Sequence, residues 1–222
     1  PHLYPRLAFD VFRDFTPITL IASVQNVLVV HPSVKANTLA ELTSLAREKA
    51  GGLTFASGGN GTQAHVGMEI LKAQANIDVT HVAYKGVGDA VKDLLGGQTS
   101  MMLAQVPAVT ALVKSGKLRA LAVANAKRSA ALPDVPTFAE AGGALEAVSW
   151  YALVGPAGVP TPIVAKIQAD VAKALQLPDV REKLLGLGAE PVGGTPDQLR
   201  AAMRTDFDRY GAVIKRIGIK AE

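Results

Sequence analysis

The sequence predicts an α/β fold in two lobes, and three features indicate it. Apolar runs of strand length alternate with segments of helical spacing through residues 29–147. Those runs are apolar throughout, as expected for parallel strands covered by helices on both faces. The final third of the chain differs, because it contains long helical segments and little that resembles a strand. We therefore predict a lobe II at residues 29–147 and an incomplete lobe I at residues 1–28 and 148–222.

The predicted strands and helices alternate along the chain. Strands are predicted at residues 17–23, 26–30, 53–57, 79–84, 100–103, 118–123 and 148–154, with a weak strand at 190–192. Helices are predicted at residues 38–50, 62–74, 87–95, 107–114, 161–175, 179–187 and 195–216. The first helix begins with a capping box, since the Thr38 hydroxyl and the Glu41 carboxylate can each accept a hydrogen bond from a free backbone amide.

The composition argues against several classes of function. The chain contains no cysteine, which excludes disulfides, thiolate metal sites and a cysteine nucleophile. The net charge is only +4 and aromatic residues make up 5%, too few to stack nucleic-acid bases, so we predict no nucleic-acid partner. No apolar run approaches the roughly 20 residues of a membrane span. The four histidines lack the spacing of metal ligands, and no metal or cofactor is predicted.

A glycine-rich segment, called the glycine loop below, joins the strand at 53–57 to the next helix. Its residues are Ser57, Gly58, Gly59, Asn60, Gly61 and Thr62. Glycine removes the Cβ that would keep a ligand off the backbone, and the first amides of a helix lack acceptors at its positive end. Ser57 and Thr62 add hydroxyl donors. The loop therefore predicts a site for a carboxylate or phosphate, with an ordinary turn capped by Thr62 as the alternative.

More specific motifs match this region incompletely. Residues 59–64 fit the dinucleotide pattern G-x-G-x-x-A, but the next strand ends at Tyr84 and Lys85 rather than at the required acidic residue. A Walker loop would need Lys and Ser or Thr after Gly61, and Ser57 lacks the G-x-S-x-G context of a nucleophile elbow. Paired carboxylates are also missing near the loop. A binding protein is therefore favoured over the alternative, a small-acid or nucleotide-binding enzyme.

A second corner, Tyr84-Lys85-Gly86, ends the next predicted strand. Because carboxyl ends of parallel strands share one edge of a sheet, we expect this corner beside the glycine loop. Lys85 would supply charge and Tyr84 a hydroxyl or an apolar wall, whereas the alternative is a solvated lysine at a turn. His65 lies four residues into the helix after the loop, and His81 is interpreted as a hydrogen-bonded core residue.

An ordered set of short motifs resembles the substrate-binding proteins of tripartite tricarboxylate transporters, the TctC or Bug receptors. Besides the loop and His65, the motifs are PHLY at 1–4, YKG at 84–86, GGQ at 96–98, SGKLRALAV at 115–123, PDVPT at 133–137, WY at 150–151, PAGVP at 156–160, LPDVR at 177–181 and GAEPV at 188–192. Each motif is modest alone, but the set in this order is specific and covers nearly the whole chain.

The resemblance implies a type II, Venus-flytrap-like fold and a monomeric periplasmic receptor. Such a receptor binds a small di- or tricarboxylate, or a related organic acid, without turnover and serves membrane transporter subunits. The resemblance assigns residues 25–30 and 148–154 to strands that cross between the lobes. It assigns the glycine loop, His65, Tyr84, Lys85 and Ala104 to the ligand site.

Two departures from the family pattern shape these expectations. Family members begin with a signal peptide, a strand and a glycine-rich ligand loop, none of which matches the start of this sequence, so we expect a fragment with part of lobe I missing. Many members also carry an aspartate near the position of Ala104 and Gln105. Its replacement favours an acid over an amino acid as ligand.

Overall fold

The computed structural model describes residues 1–4 and 6–219, which form two compact units. Unit 1 comprises Pro1–Val24 and the chain from Ser149 onward, and unit 2 comprises Gln25–Val148. The lobes proposed from the sequence, residues 29–147 against 1–28 and 148–222, stay a prediction for the complete protein. Residues 220–222 of that predicted lobe I lie outside the described residues.

Strands and helices alternate as an α/β fold requires, so the predicted fold class is confirmed. The strands are β1 (Phe15–Val30), β2 (Thr54–Ser57), β3 (Thr80–Ala83), β4 (Met101–Gln105), β5 (Arg119–Val123), β6 (Val148–Pro156) and β7 (Ala189–Pro191). The helices are α1 (Leu39–Glu48), α2 (Gln63–Ala75), α3 (Val87–Leu95), α4 (Val106–Lys114), α5 (Thr161–Ala174), α6 (Pro178–Gly186) and α7 (Pro196–Ile217).

The sheet of unit 2 has the strand order β3-β2-β4-β1-β5 and mixes parallel with antiparallel pairs. Strand β2 runs parallel to β3 and β4, whereas β1 runs antiparallel to β4 and β5. The prediction of a parallel sheet is therefore wrong for β1. An apolar sequence indicates that a strand is buried on both faces. It does not indicate strand direction, because a central strand is buried whether its neighbours run parallel or antiparallel to it.

Strand β1 is one long strand where the sequence suggested two. The polar pair Gln25 and Asn26 interrupts the apolar run, yet both side chains are buried, with 8% and 4% of their surface exposed. The burial of Asn26 within the strand is stabilised by two hydrogen bonds. Its side-chain amide donates to the carbonyl of Ala147 at 2.7 Å and to the side-chain oxygen of Gln63 at 3.0 Å. Buried polar groups with such partners do not end a strand.

The core of unit 2 lies between its sheet and helices, where α2, α3 and α4 pack on β2 and β4. Large side chains without solvent contact fill it, among them Leu28, Phe55, Met68, Leu94 and Met101. The covered sheet explains why the strand sequences are apolar throughout. It also holds the carboxyl ends of β2, β3 and β4 at one rigid edge.

Unit 1 buries fewer side chains. Its first strand segment pairs antiparallel with β7, where Ser23 lies opposite Glu190, and β6 also pairs with β1. Of the described residues, those of α6 include none that is fully buried, and α5 buries Val164 alone. The exposed apolar side chains of this unit include Ile163, Leu185 and Leu187.

We expect this difference in burial to appear in amide hydrogen exchange. Helices with few buried contacts open at low free-energy cost, so α5 and α6 should exchange faster than α2 and β4 of unit 2. Mass spectrometry of deuterated peptides measures this directly, with the α2 peptide as the protected reference. Equal protection in the four elements would show that burial does not govern local stability here.

Candidate functional site

Three helices of unit 2 begin at the same edge of its sheet. Because β2 is parallel to both β3 and β4 and lies between them, their carboxyl ends are adjacent, and α2, α3 and α4 start there. The amino end of a helix carries partial positive charge. The first turns of α2 and α4 hold no acidic residue, whereas that of α3 contains Asp89. The central part of this edge therefore favours an anion.

The two predicted corners lie against each other at this edge. A Cβ on Gly58 would lie 3.2 Å from the amide nitrogen of Val87, and one on Gly59 would lie 3.3 Å from the carbonyl oxygen of Tyr84. Both distances are tighter than ordinary contacts, so a side chain at either glycine would push the corners apart. The two glycines thus permit the close approach that the sequence predicted.

Several polar groups of the glycine loop form hydrogen bonds with other groups in or next to the loop. The Thr62 hydroxyl donates to the carbonyl of Gly59 at 2.8 Å and caps α2 by accepting from the amide of His65 at 3.4 Å. The Ser57 hydroxyl accepts from the amide of Gly59 at 3.2 Å and lies 3.0 Å from its carbonyl. Gly61 takes a φ of +73°, a left-handed conformation that favours glycine.

Both hydroxyls form hydrogen bonds within the loop. Ser57 is fully buried and Thr62 is half-buried. Their donation to a ligand, expected from the sequence, stays a prediction. Asn60 is the exposed residue of the loop, and Ala64, the second residue of α2, donates in none of these bonds.

The remaining predicted residues occupy different environments. Lys85 is exposed beside the loop, while the Tyr84 hydroxyl donates to the Asp93 carboxylate at 2.9 Å. Burial, and then this hydrogen bond, raises the pKa of Tyr84. Ala104 is 1% exposed and pairs with Val27 within the sheet, so it offers no surface to a ligand in this structure. We accordingly leave Ala104 out of the candidate site.

Two stacked histidines lie beneath the loop. The rings of His65 and His81 are 3.7 Å apart with an interplanar angle of 19°. The Phe55 ring lies 4.7 Å from that of His81 and 6.1 Å from that of His65. Nδ1 of His65 accepts from the amide of Gly61 at 3.1 Å, and Nε2 of His81 lies 2.7 Å from the Ser57 hydroxyl.

Burial dominates the titration of both rings. It lowers the pKa of His65 from its usual value near 6.5 to about 4, with the positive charge of Lys72 as a second cause. It lowers the pKa of His81 to about 4 as well, with His65 and Lys72 acting in the same direction and Glu69 opposing them. Both imidazoles are therefore neutral at pH 7.

The side-chain amides of Asn26 and Gln63 form a hydrogen-bonded pair at the start of α2. Gln63 accepts from Asn26 and donates to the carbonyl of Val148 at 2.6 Å, and Asn26 donates to the carbonyl of Ala147. Sequence reasoning missed both residues and the link between His81 and Ser57. The available signal was a polar residue, Asn26, inside an apolar run.

The comparisons with known proteins decide the family. The model of the tripartite tricarboxylate transporter family receptor, TctC, matches residues 1–219. The chain belongs to this receptor family. Among curated relatives, BugT of Bordetella pertussis is 34% identical over 98% of the chain and 67% of its own length. The chain spans about two-thirds of the length of such relatives.

Several solved structures resemble the chain in fold as well as in sequence. Rpa4515 of R. palustris, solved with adipate, is 34% identical with a TM-score of 0.87, covering 99% of this chain and 74% of that one. MatC of Rhodopseudomonas palustris, with bound malate, is 31% identical with a TM-score of 0.82, covering 96% and 74%. The periplasmic binding protein BugD is 28% identical with a TM-score of 0.85, covering 100% and 75%.

Within residues 1–4 and 6–219, no group of three or more histidine, aspartate or glutamate side chains is arranged to hold a metal ion. The helices in the described part of the chain are each too short or too polar to cross a membrane.

Removal of the Asn26 side chain is expected to destabilise unit 2. The change Asn26→Ala removes the buried donor to the Gln63 side-chain oxygen and to the Ala147 carbonyl, which costs about 1–3 kcal/mol of unfolding free energy. Chemical denaturation measures the loss, and Asn37→Ala, at an exposed site in the same unit, is the matched control. Equal stability of the two variants would show that the amide pair contributes nothing.

The pKa shifts predict that stability falls on mild acidification. Both histidines bind a proton more weakly in the folded chain than in the unfolded chain, so the unfolded chain holds more protons between about pH 6.5 and 4. The unfolding free energy should be highest above pH 6.5 and fall towards pH 4, by about 2 kcal/mol at pH 5 for His65 alone.

Denaturation curves at pH 8 and pH 5 test this expectation. His65→Asn should reduce the pH dependence, whereas Asn37→Ala, a change at an exposed uncharged residue of the same unit, should leave it intact. A wild-type stability that does not change between the two pH values would refute the proposed titration.

Proposed function

We propose that this chain is the carboxylate-binding part of a periplasmic receptor that captures a small di- or tricarboxylate, or a related organic acid. In this proposal the receptor is monomeric and delivers its ligand to the membrane subunits of a tripartite tricarboxylate-type transporter. It binds without catalysing a reaction. Membership of the receptor family and the description of BugD as a periplasmic binding protein support this assignment.

The observation that carries the proposal is the edge where α2 and α4 begin. Two helix amino ends without acidic residues in their first turns meet there, next to the exposed Lys85. Backbone amides and a nearby cation are the groups that bind a carboxylate at a helix start. The neighbours Rpa4515 and MatC, with adipate and malate, each hold a dicarboxylic acid.

The glycine loop would bring its backbone, rather than its hydroxyls, to the ligand. Gly58 and Gly59 let the two corners close together, and Gly61 allows the turn into α2. We assign the anion to the backbone between Asn60 and Ala64, with Lys85 adding charge across the second corner. Ser57, Thr62 and His65 act by holding this backbone in place.

A panel of acids tests the assignment. The purified chain is titrated with adipate, malate and citrate, and with adipamide as an uncharged control of the same length. We expect at least one acid, and not adipamide, to raise the melting temperature, because a ligand that binds only the folded state stabilises it. Mass spectrometry of the same mixtures should find each acid unchanged. A reaction product, or stabilisation by ATP or NAD instead of an acid, would favour the enzyme alternative.

The change Gly61→Val is expected to weaken acid binding. A β-branched residue at a positive φ is strained, and the new side chain stands where the ligand would approach the backbone. Loss of one charge-assisted hydrogen bond corresponds to about a ten- to hundredfold weaker affinity. Isothermal titration calorimetry with the acid that binds the wild-type chain best gives the affinity.

Gly186→Val is the matched control for this variant. Gly186 ends α6 in unit 1, and a Cβ there would meet no atom within 4 Å. Both variants are compared by melting temperature, so that an effect on folding is separated from one on binding. If Gly61→Val binds as tightly as Gly186→Val, the glycine loop serves only the turn.

A further inference from the structure

The structure assigns His65 and His81 a role in ligand binding that neither ring performs by touching the ligand. We propose that the stacked pair is a clamp that holds Gly59 and Gly61 in place and so fixes the conformation of the loop that receives the carboxylate. Each ring is therefore a positioning residue that acts through the loop. This inference rests on the proposed function and adds a determinant of affinity to it.

The first half of the clamp is the bond between His65 and Gly61. A backbone amide can only donate, so Nδ1 of His65 must be the unprotonated nitrogen of a neutral ring. His65 is 6% exposed and lies in the first turns of α2, where neighbouring turns restrict its movement. The ring therefore holds the Gly61 amide at the point where the chain takes its left-handed turn.

The second half is the chain of bonds from His81 through Ser57 to Gly59. The Ser57 hydroxyl lies 2.7 Å from Nε2 of His81, with which it shares a hydrogen bond, and 3.0 Å from the carbonyl of Gly59. The same serine oxygen accepts from the Gly59 amide, which ties both polar groups of Gly59 to one side chain.

The stack joins the two halves into one unit. The ring plane of His81 is tilted by 19° from that of His65 and by 21° from that of Phe55, and Phe55 also contacts His65 at 6.1 Å with a tilt of 40°. Phe55 is fully buried in β2, His81 lies in β3 and His65 lies in α2, so three elements fix the ring positions. A shift of either histidine would move the loop glycine that it holds.

Charged groups near the rings are consistent with a clamp made of neutral imidazoles. The ammonium of Lys72 lies 2.9 Å from the Glu69 carboxylate and 5.8 Å from the centre of the Phe55 ring. This ion pair lies on α2, the helix that carries His65. A proton added to Nδ1 of His65 would point an N–H group at the N–H group of Gly61 and break the contact.

Two substitutions at His65 separate the hydrogen bond from the ring. His65→Phe keeps an aromatic ring of similar size for the stack but removes the acceptor. His65→Asn removes the ring but places a side-chain oxygen at the position of Nδ1, where it can accept from Gly61. His31→Phe, at a histidine outside the stack, controls for the general effect of the substitution. Melting temperatures confirm that each variant is folded.

The first measurement is the hydrogen exchange rate of the Gly61 amide, followed by NMR in the 15N-labelled chain without ligand. Loss of one hydrogen bond should speed this exchange by about tenfold in His65→Phe, and His65→Asn should recover most of the protection. The second measurement is the affinity for the acid of the panel that binds the wild-type chain best. It should fall about tenfold in His65→Phe and recover in His65→Asn.

The two measurements distinguish the possible failures. Unchanged exchange of Gly61 in His65→Phe would overturn the clamp itself. Faster exchange with unchanged affinity would overturn its role in binding, although the proposed receptor function would stand. If no acid binds the wild-type chain, the proposed function fails and the positioning role fails with it, while the exchange rates still report whether the rings hold the loop.

Discussion

The candidate site depends on the parallel pairing of β2 with β3 and β4. Thr54 lies opposite Thr80 and Phe55 opposite Met101, so the three strands end at one edge. The next element after each strand is a helix, whose positive end therefore points to that edge. If one strand ran the other way, its helix would begin at the opposite edge. The pairing thus concentrates partial positive charge without a cluster of basic side chains.

The loop at this edge is shaped before any ligand arrives. Polar backbone groups of the loop form hydrogen bonds with the hydroxyls of Ser57 and Thr62 and with Nδ1 of His65. Without these partners the backbone groups would bind water and the loop would be more mobile. A site that is ordered in advance loses less entropy on binding, and more of its interaction energy appears as affinity. In the proposed site, the side chains of the loop would therefore act on the ligand indirectly, by fixing the backbone.

Several features were predictable because they depend on neighbouring residues. Helix α3 was predicted with the bounds that the structure shows, since glycines flank its amphipathic segment. The glycine loop was predicted at the junction of β2 and α2, because a left-handed residue there requires glycine. The resemblance to the TctC receptors was also predictable, because the motifs that indicate it are short and contiguous in the sequence.

Other features depended on residues distant in sequence. His81 was expected to be a core histidine with a satisfied hydrogen bond, but its partner Ser57 lies 24 residues away, and no local pattern connects them. Ala104 was placed in the site from its family position, yet β4 lies between β2 and β1 and buries it. Asn26 breaks an apolar run, and only its contacts across the fold explain why the strand continues.

By itself the sequence determined the α/β class, the order of the helices and strands and the place of the glycine loop. These follow from periodicity, glycine positions and helix capping, which act over a few residues. The tertiary structure alone decided the direction of β1, the burial of Ala104 and the histidine stack beneath the loop. Strand pairing and side-chain packing depend on which distant segments meet, and a linear pattern does not contain that information.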